Sequence, residues 1–439
     1  MLAFYIYNCY NKIDYGEVCL LPTPQKETTM KKMLKLTSFI LVLSTLLCLF
    51  CSCTSTMDTS KPNEPNTPPT NTPNSTTPST PDENKDSQFV NPLTGLACEE
   101  GDVLLRPVAI MIDNEVNYFS GNYSNLGLSS ADIIFETNIE SNGSGTRMMP
   151  IFSQKTLKNN LLVIGGVRSA RPYFMQLAKM LDAYYVHEGS SSRDDVVPSS
   201  ITDYNYYARP MLHSGYVDSY ELAGEGKISY RPEKEISDKL CVVSSAMVAN
   251  GEQLLNHLTA TYPRTTYKTQ TATNAFLFGA ANMSGGTDAL SVRIRFSDDN
   301  AFYTQSKFTY DSATGIYVRS QYLYQSSLRG LNKNDIASKD INTGELLKFK
   351  NVFVLSTNQY ACDRSYDGLP YHTKIDLVGY SGTGYYFTEG KCIEITWKCQ
   401  SDLSPIRFYT SNGAELVVNP GKTFINLINQ NALSDLEIA

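Results

Sequence analysis

Apolar and polar positions follow two different patterns along this chain of 439 residues. In the first part, short continuous apolar runs predict buried strands at 106–113, 132–136, 147–152, 161–164 and 183–186. Residues 172–182 form a predicted helix, because their apolar side chains recur at helical spacing and a proline opens the segment. A further helix is predicted over 245–258, with Ser244 or Ser245 as its N-cap. Strands that alternate with helices predict an α/β domain with a mixed sheet over residues 91–270.

A stretch rich in Thr, Ala, Asn and Gly at 259–288 precedes a second pattern of successive strand-like runs, of which 292–296 and 315–320 alternate apolar and polar residues. Strands are predicted at 292–296, 315–320, 351–355, 375–378, 384–387, 391–397, 407–409 and 415–418. Turn signals such as Asn-Pro-Gly at 419–421 recur after these runs. Residues 285–439 are therefore predicted to form a smaller, mostly β C-terminal domain.

The N-terminus has the features of a bacterial lipoprotein signal. A basic segment precedes the apolar run 36–50, which is short for a membrane span of about 20 residues. Cys53 follows a serine, whereas Cys48 and Cys51 follow large apolar residues, so Cys53 is the best candidate for lipidation. Residues 1–53 are thus predicted to be a leader and signal peptide. A plainly secreted protein, or one held by an uncleaved helix, is the alternative.

Residues 54–90 are dense in Pro, Thr, Asn and Ser and contain almost nothing apolar. Such a segment cannot bury enough apolar surface to fold, so it is predicted to be a disordered tether. An acylated Cys53 would enter the lipid bilayer, and the tether would hold the folded part at the outer face of the cytoplasmic membrane. The formal net charge of −7 and the absence of a basic run in the body argue against a nucleic-acid partner.

Cysteine and histidine spacing gives no metal or cofactor signal. Beyond the leader, the cysteines lie at 98, 241, 362, 392 and 399, an odd number without a Cys-x-x-Cys pair. Cys392 and Cys399 would point to opposite faces of one strand-like run, so a disulfide between them within that run is excluded. The histidines show no His-x-x-x-His spacing. We therefore expect no cofactor, no metal, and cysteines that are buried or free thiols.

The stretch 165–174 carries the strongest chemical signal. A glycine turn leads from a predicted strand into a predicted helix, and Arg168 and Arg171 stand where the helix begins. Free N–H groups and guanidinium forks at such a place suit an anion. Asp113, Glu136 and His187 also follow predicted strands, and polar residues at strand ends gather at one edge of an open sheet. Each of them can equally be a solvated turn residue or part of a structural ion pair.

Several short motifs together resemble one known family. They are Asn-Pro-Leu-Thr-Gly-Leu at 91–96, Arg-Pro-Val-Ala-Ile-Met-Ile-Asp-Asn at 106–114, Ala-Asp-Ile-Ile-Phe-Glu at 131–136 and Gly-Val-Arg-Ser-Ala-Arg-Pro at 166–172. Thr-Trp-Lys at 396–398 and Asn-Pro-Gly-Lys-Thr at 419–423 extend the resemblance to the C-terminal part. The chain resembles the YerB-like family, lipoproteins of Gram-positive bacteria with two domains of unknown function. The resemblance implies an α/β and a β-rich domain on a membrane anchor, and no established reaction.

The resemblance also implies a set of characteristic polar positions. They are Asp113, Asn114, Glu136, Arg147, Arg168, Ser169, Arg171 and His187. His213 belongs to a further motif of the family, in which this chain has Ser214 where an asparagine is expected. This chain therefore lacks the amide at that position of the motif.

Three hypotheses for function follow. The first is a binding or scaffold module of the cell envelope, whose arginines hold an anionic ligand such as peptidoglycan, teichoic acid or a segment of another envelope protein. The second is an envelope hydrolase that uses Asp113 and Glu136 as paired carboxylates, with Arg168, Arg171 and His187. The third is purely structural, with the arginines paired to the two carboxylates in a buried network.

Overall fold

The computed structural model describes residues 89–114, 116–117, 122–123, 126–139, 145–159, 162–191, 208–223, 226–231, 247–268, 274–296, 305–323, 334–361 and 372–439. The predicted leader with Cys53, nearly all of the predicted tether, and Cys241 and Cys362 lie outside these ranges. Within them, every helix is too short or too polar to cross a membrane.

The strands and helices of the first part are β1 (Val108–Ile110), β2 (Ile112–Asp113), β3 (Val116–Asn117), β4 (Asn122–Tyr123), β5 (Ile133–Asn138), β6 (Thr146–Phe152), α1 (Gln154–Leu157), β7 (Val163–Val167), α2 (Pro172–Met180), β8 (Tyr184–His187), α3 (Ala208–His213), β9 (Ser219–Glu221), β10 (Ser229–Tyr230), β11 (Met247–Asn250) and α4 (Gly251–Thr261). Short 3₁₀ helices cover Glu100–Asp102 and Leu128–Ser130.

The second part contains β12 (Leu277–Phe278), β13 (Thr287–Asp288), β14 (Ser291–Arg295), β15 (Gln305–Asp311), β16 (Ile316–Leu323), β17 (Asn334–Ala337), β18 (Lys348–Phe349), β19 (Asn351–Thr357), β20 (Gln359–Ala361), β21 (Thr373–Ile375), β22 (Ser381–Thr388), β23 (Lys391–Lys398), β24 (Arg407–Thr410), β25 (Val417–Val418), β26 (Thr423–Asn429) and β27 (Glu437–Ile438). A 3₁₀ helix, Gln430–Asp435, follows β26.

Strands from both predicted domains share one mixed sheet. In the described ranges its main path runs β10-β11-β7-β2-β6-β5-β26-β19-β22-β23-β13, and β1, β8, β9 and β24 pair beside this path. The junction is β26, which lies parallel to β5 on one side and to β19 on the other. A second, six-stranded sheet contains β14 to β18 and β27. The described residues belong to one compact unit that runs from Thr80 to Ala439.

The mixed sheet was predicted, but the protein is mostly β and its first part is not clearly α/β. In that part the strands far outnumber the helices, and α1 is a single turn. The helix α2 connects β7, which is antiparallel to β2, to β8, which is parallel to β1. It therefore joins strands of opposite direction and makes no parallel crossover. A strand–helix–strand pattern alone does not distinguish these two cases.

The helix predicted at 245–258 also begins later than expected. Residues of β11 pair with β7, and the helix α4 starts at Gly251. Its N-cap is Asn250, whose side chain accepts a hydrogen bond from the backbone N–H of Gln253 at 3.0 Å. Asparagine and serine are about equally favourable as N-caps. The residue preference at the N-cap therefore does not distinguish a helix that starts after Ser244 or Ser245 from one that starts after Asn250.

Each face of the large sheet is covered by its own hydrophobic core. On one face, the helix α2 packs Tyr173, Phe174 and Leu177 against residues such as Met149. On the other face, α4 and the six-stranded sheet pack against residues such as Met148. Because successive side chains of a strand point to opposite faces, neighbouring residues of one strand enter different cores. This division decides which of the predicted site residues can meet.

Candidate functional site

The site is built around the turn between β7 and α2. The backbone N–H of Arg168 donates to the carbonyl of Met111 at 3.0 Å, beside the end of β2. On the opposite side, Glu188 N–H donates to the Arg168 carbonyl and Ala170 N–H donates to the Gly189 carbonyl, each at 3.0 Å. These bonds fix the turn between β2 and the segment that follows β8, so its arginines are presented by a rigid backbone.

Three arginines and one carboxylate meet there, and we call Asp113, Arg147, Arg168 and Arg171 the arginine cluster. Asp113 ends β2 directly opposite Arg147 of β6. The Nε of Arg168 lies 3.4 Å from the Oδ2 of Asp113. The Nη1 atoms of Arg147 and Arg171 donate to successive carbonyls of the turn, those of Ser169 and Ala170, each at 3.0 Å. All four residues lie on the face of the sheet that α2 covers.

Positive charge exceeds negative charge in this cluster. Arg147 and Arg171 are only 5% and 7% exposed, yet no carboxylate of the described residues lies within 4.0 Å of either guanidinium group. Their Nε atoms are buried and have no hydrogen-bond partner among the described residues. Burial and the neighbouring Arg171 lower the pKa of Arg147 to about 10, against an opposing effect of Asp113. Arg147 therefore stays cationic at neutral pH.

His187 and Ser169 flank the cluster without forming a catalytic pair. The Nδ1 atom of His187 lies 2.7 Å from the Gly189 carbonyl, so that nitrogen carries the proton. Burial lowers the pKa of His187, which keeps the ring neutral at pH 7. Ser169 is partly exposed and contacts Arg147 through its backbone carbonyl. Among the described hydrogen bonds, none connects the Ser169 hydroxyl to a base.

Glu136 and Asn114 lie on the other face of the sheet. Glu136 is opposite Met148, one residue along β6 from Arg147, and the pleat therefore directs it away from the arginine cluster. Its carboxylate accepts hydrogen bonds from Asn114 at 2.8 Å, Thr146 at 2.8 Å, Ser306 at 3.0 Å and Arg319 at 3.0 Å. We call this set the Glu136 network; the side chains of Glu136 and Arg319 are both 0% exposed.

The structure therefore divides the predicted site. It brings together Asp113, Arg147, Arg168 and Arg171, with Ser169 and His187 beside them. It separates Glu136 and Asn114, which belong to the Glu136 network. His213 is exposed at the C-terminal end of α3 and is in contact with neither group in the described bonds. The paired-carboxylate hypothesis loses its geometric basis, because Asp113 and Glu136 occupy opposite faces.

Sequence reasoning missed Arg319, the charged partner of Glu136. A signal existed: Tyr317, Arg319 and Gln321 share one parity of β16, and all three are buried. An arginine on the inward parity of a strand requires a buried partner. That partner could not be identified without the pairing of the two sheets.

The potential metal ligands and the thiols of the described part of the chain are arranged as follows. No group of three or more His, Cys, Asp or Glu residues there is arranged to hold a metal ion. Within the described ranges Cys98, Cys392 and Cys399 form no disulfide, and burial raises the pKa of each. A raised pKa keeps a thiol protonated and unreactive at neutral pH.

Comparison with known proteins identifies relatives over most of the chain. Residues 93–209 and 292–425 match the N-terminal and C-terminal domains of the family described as protein of unknown function (DUF3048). The Bacillus subtilis (strain 168) protein named "Putative lipoprotein YerB" is 26% identical over 339 residues, 77% of this chain and 85% of that protein. The crystal structure of YerB protein from Bacillus subtilis is 25% identical, has a TM-score of 0.59, and covers 80% of this chain and 100% of that one.

Proposed function

This chain belongs to the YerB-like DUF3048 family, and on that premise we propose that it is a lipid-anchored, anion-binding module of the cell envelope. The Bacillus subtilis relative is named "Putative lipoprotein YerB", and Cys53 of this chain follows an apolar run of the kind found in signal peptides. An acyl anchor at Cys53 and the Pro-rich segment 54–90 would present the folded part at the outer face of the cytoplasmic membrane.

The observation that carries the proposal is the charge of the buried Arg147 and Arg171, for which no carboxylate of the described residues lies within 4.0 Å. Two other buried arginines have carboxylate partners: Arg106 is 2.7 Å from Asp218, and Arg319 is 3.0 Å from Glu136. A buried charge without a partner costs several kcal/mol, on the order of the stabilisation that a whole ion pair network can supply. A bound anion would remove that cost for Arg147 and Arg171.

The geometry favours a phosphate or carboxylate group as the ligand. Guanidinium forks match both groups, and the two Nε atoms of Arg147 and Arg171 are donors that protein atoms leave unused in the described part of the chain. In the envelope these groups occur on peptidoglycan stems and teichoic acids, and on acidic segments of other envelope proteins. Asp113 would hold Arg168 in place at the edge of the site.

Anion binding is tested by the stability of the full-length chain in detergent, measured by urea unfolding with inorganic phosphate or acetate. We expect at least one of them to stabilise the protein, by about 2.7 kcal/mol at a hundredfold excess over Kd. The double variant Arg147→Met/Arg171→Met should lose this response, yet retain its stability without the anion, since it buries no uncompensated charge.

Arg407→Met is the control, because Arg407 lies on β24 outside the cluster, and its response should equal that of the wild type. The proposal is overturned if neither anion stabilises the wild type, or if the double variant responds as strongly. A loss of more than about 3 kcal/mol in the double variant without any anion would instead assign the two arginines to a structural network.

A further inference from the structure

A polar cleft of about 560 Å³ lies in the second part of the chain, apart from the arginine cluster. Its walls come from the ends of β19, β22 and β23, and from the 3₁₀ helix Gln430–Asp435. The side chains that bear on ligand binding belong to Ser356, Asn358, Asp376, Tyr380, Thr383 and Trp397. The volume falls within the range of about 300–1,000 Å³ that is typical of small-molecule sites.

The chemistry of the lining points to an uncharged polar ligand. Hydroxyl and amide groups predominate, Asp376 is the one charged side chain among the described lining residues, and no lysine or arginine lines the cleft there. A phosphate or carboxylate would find no counter-ion, and a hydrocarbon would leave the polar groups without partners. A polyhydroxylated molecule, by contrast, both donates and accepts hydrogen bonds.

The polar groups are held in fixed positions. Asp376 is 8% exposed; its Oδ2 accepts a hydrogen bond from Asn358 Nδ2 at 2.7 Å, and its Oδ1 accepts one from the Tyr360 hydroxyl at 3.3 Å. Each carboxylate oxygen can accept a further bond from a ligand hydroxyl. On the opposite wall, the Ser356 hydroxyl donates to the Thr383 carbonyl at 2.9 Å, which fixes the spacing of β19 and β22.

Two aromatic rings complete the cleft. Tyr380 is 50% exposed at its rim, so one side of its ring faces the solvent of the cleft. Trp397 is buried in the wall, and its Nε1 donates to the Ser356 carbonyl at 3.0 Å. A Cβ at Gly382 would lie 2.6 Å from that Nε1 atom, so only glycine lets β22 pass this close to the indole. Because the ring of Tyr380 is half exposed, it is available for stacking on an apolar face of a ligand.

We infer that this cleft binds a neutral oligosaccharide. A sugar ring presents an apolar face of C–H groups, which would stack on Tyr380, and a rim of hydroxyls. Those hydroxyls would donate to Asp376 and exchange bonds with Asn358 and Thr383. Stacking surface beside planar polar side chains is the combination that such a ligand requires.

The inference is tested with the full-length chain and three neutral probes: the tetramer of N-acetylglucosamine, cellotetraose and maltotetraose. Trp397 is the single tryptophan of the chain and lines the cleft, so its fluorescence reports binding directly. At least one probe should change that fluorescence saturably and give a matching Kd by calorimetry. Tyr380→Ala should weaken binding at least about tenfold, and Tyr380→Phe, which keeps the ring, less than about threefold.

Leu403→Ala removes an apolar side chain that is 63% exposed and does not line the described cleft, and it should leave Kd unchanged. Arg147→Met/Arg171→Met should also leave saccharide binding unchanged, which separates this site from the anion site. The inference is overturned if none of the three probes binds. So would equal affinity of Tyr380→Ala and the wild type, provided that circular dichroism shows both to be folded.

Discussion

At the scale of single residues, the buried charges of the described part of the chain fall into two groups, one with a carboxylate partner and one without. Glu136 and Arg319 neutralise each other inside a network in which hydroxyl and amide groups satisfy the carboxylate. Within the described part of the chain, the guanidinium groups of Arg147 and Arg171 donate to carbonyl oxygens alone. A satisfied network stabilises a unique packing, whereas surplus charge is retained at a cost and is typical of sites that await a ligand.

The Glu136 network is therefore predicted to be structural, and Arg319→Met should lower the free energy of unfolding by about 3–5 kcal/mol, because it leaves the Glu136 carboxylate buried without a cation. Urea unfolding of the full-length chain at pH 7 measures this. Adding Glu136→Gln should restore part of the loss, since the remaining amide carries no charge. A loss below about 1 kcal/mol in Arg319→Met would contradict this role.

Residue-level sequence reasoning selected a set of polar positions and could not assign them to the two faces of the sheet. Asp113 and Glu136 were both predicted at strand ends, but Asp113 ends β2 opposite Arg147, whereas Glu136 lies within β5 opposite Met148. A shift of one residue in register reverses the face of every side chain. Register between strands is a property of the sheet, so spacing along the chain cannot supply it.

At the scale of elements, the most consequential omission was β26. Most predicted strands are present, including those at 132–136, 147–152, 351–355 and 391–397, but no strand was predicted over 423–429. Asn426 interrupts its apolar run, although this side chain is buried and donates to the Phe353 carbonyl at 2.9 Å. A polar residue that bonds to a neighbouring strand has no signature in hydrophobic periodicity.

The position of β26 predicts that the first part of the chain does not fold alone. A fragment that ends at residue 290 leaves β5 without its parallel neighbour and uncovers the sheet face that the six-stranded sheet protects. An unpaired edge and an exposed core favour aggregation. We expect no cooperative urea transition from this fragment, as followed by circular dichroism.

Removal of residues 437–439 alone is the matched control, because it deletes only β27, a two-residue strand at the end of the second sheet. That variant should unfold cooperatively, within about 2 kcal/mol of the full chain. A sharp transition and a dispersed NMR spectrum from the fragment that ends at residue 290 would show that the first part is an independent domain.

At the scale of the whole molecule, one sheet makes a single scaffold for two sites of different chemistry. The arginine cluster lies at the end of β2 and suits an anion, and the polar cleft lies at the ends of β19, β22 and β23 and suits a neutral sugar. Polymers of a bacterial envelope carry both kinds of group. Two weak contacts to one polymer would act together, with an effective concentration set by the rigid spacing of the sites.

Such a role requires that the folded part stay at the membrane, which we expect Cys53 to ensure through attached acyl chains. Stable attachment needs two chains, each CH₂ group contributing about 0.8 kcal/mol. Cys53→Ala should therefore move the protein from the membrane pellet to the medium in a Gram-positive host, as measured by immunoblotting of both fractions. Cys51→Ala is the matched control, since Cys51 follows a large apolar residue, and it should remain in the pellet. Retention of Cys53→Ala in the pellet would show that another cysteine or an uncleaved helix anchors the chain.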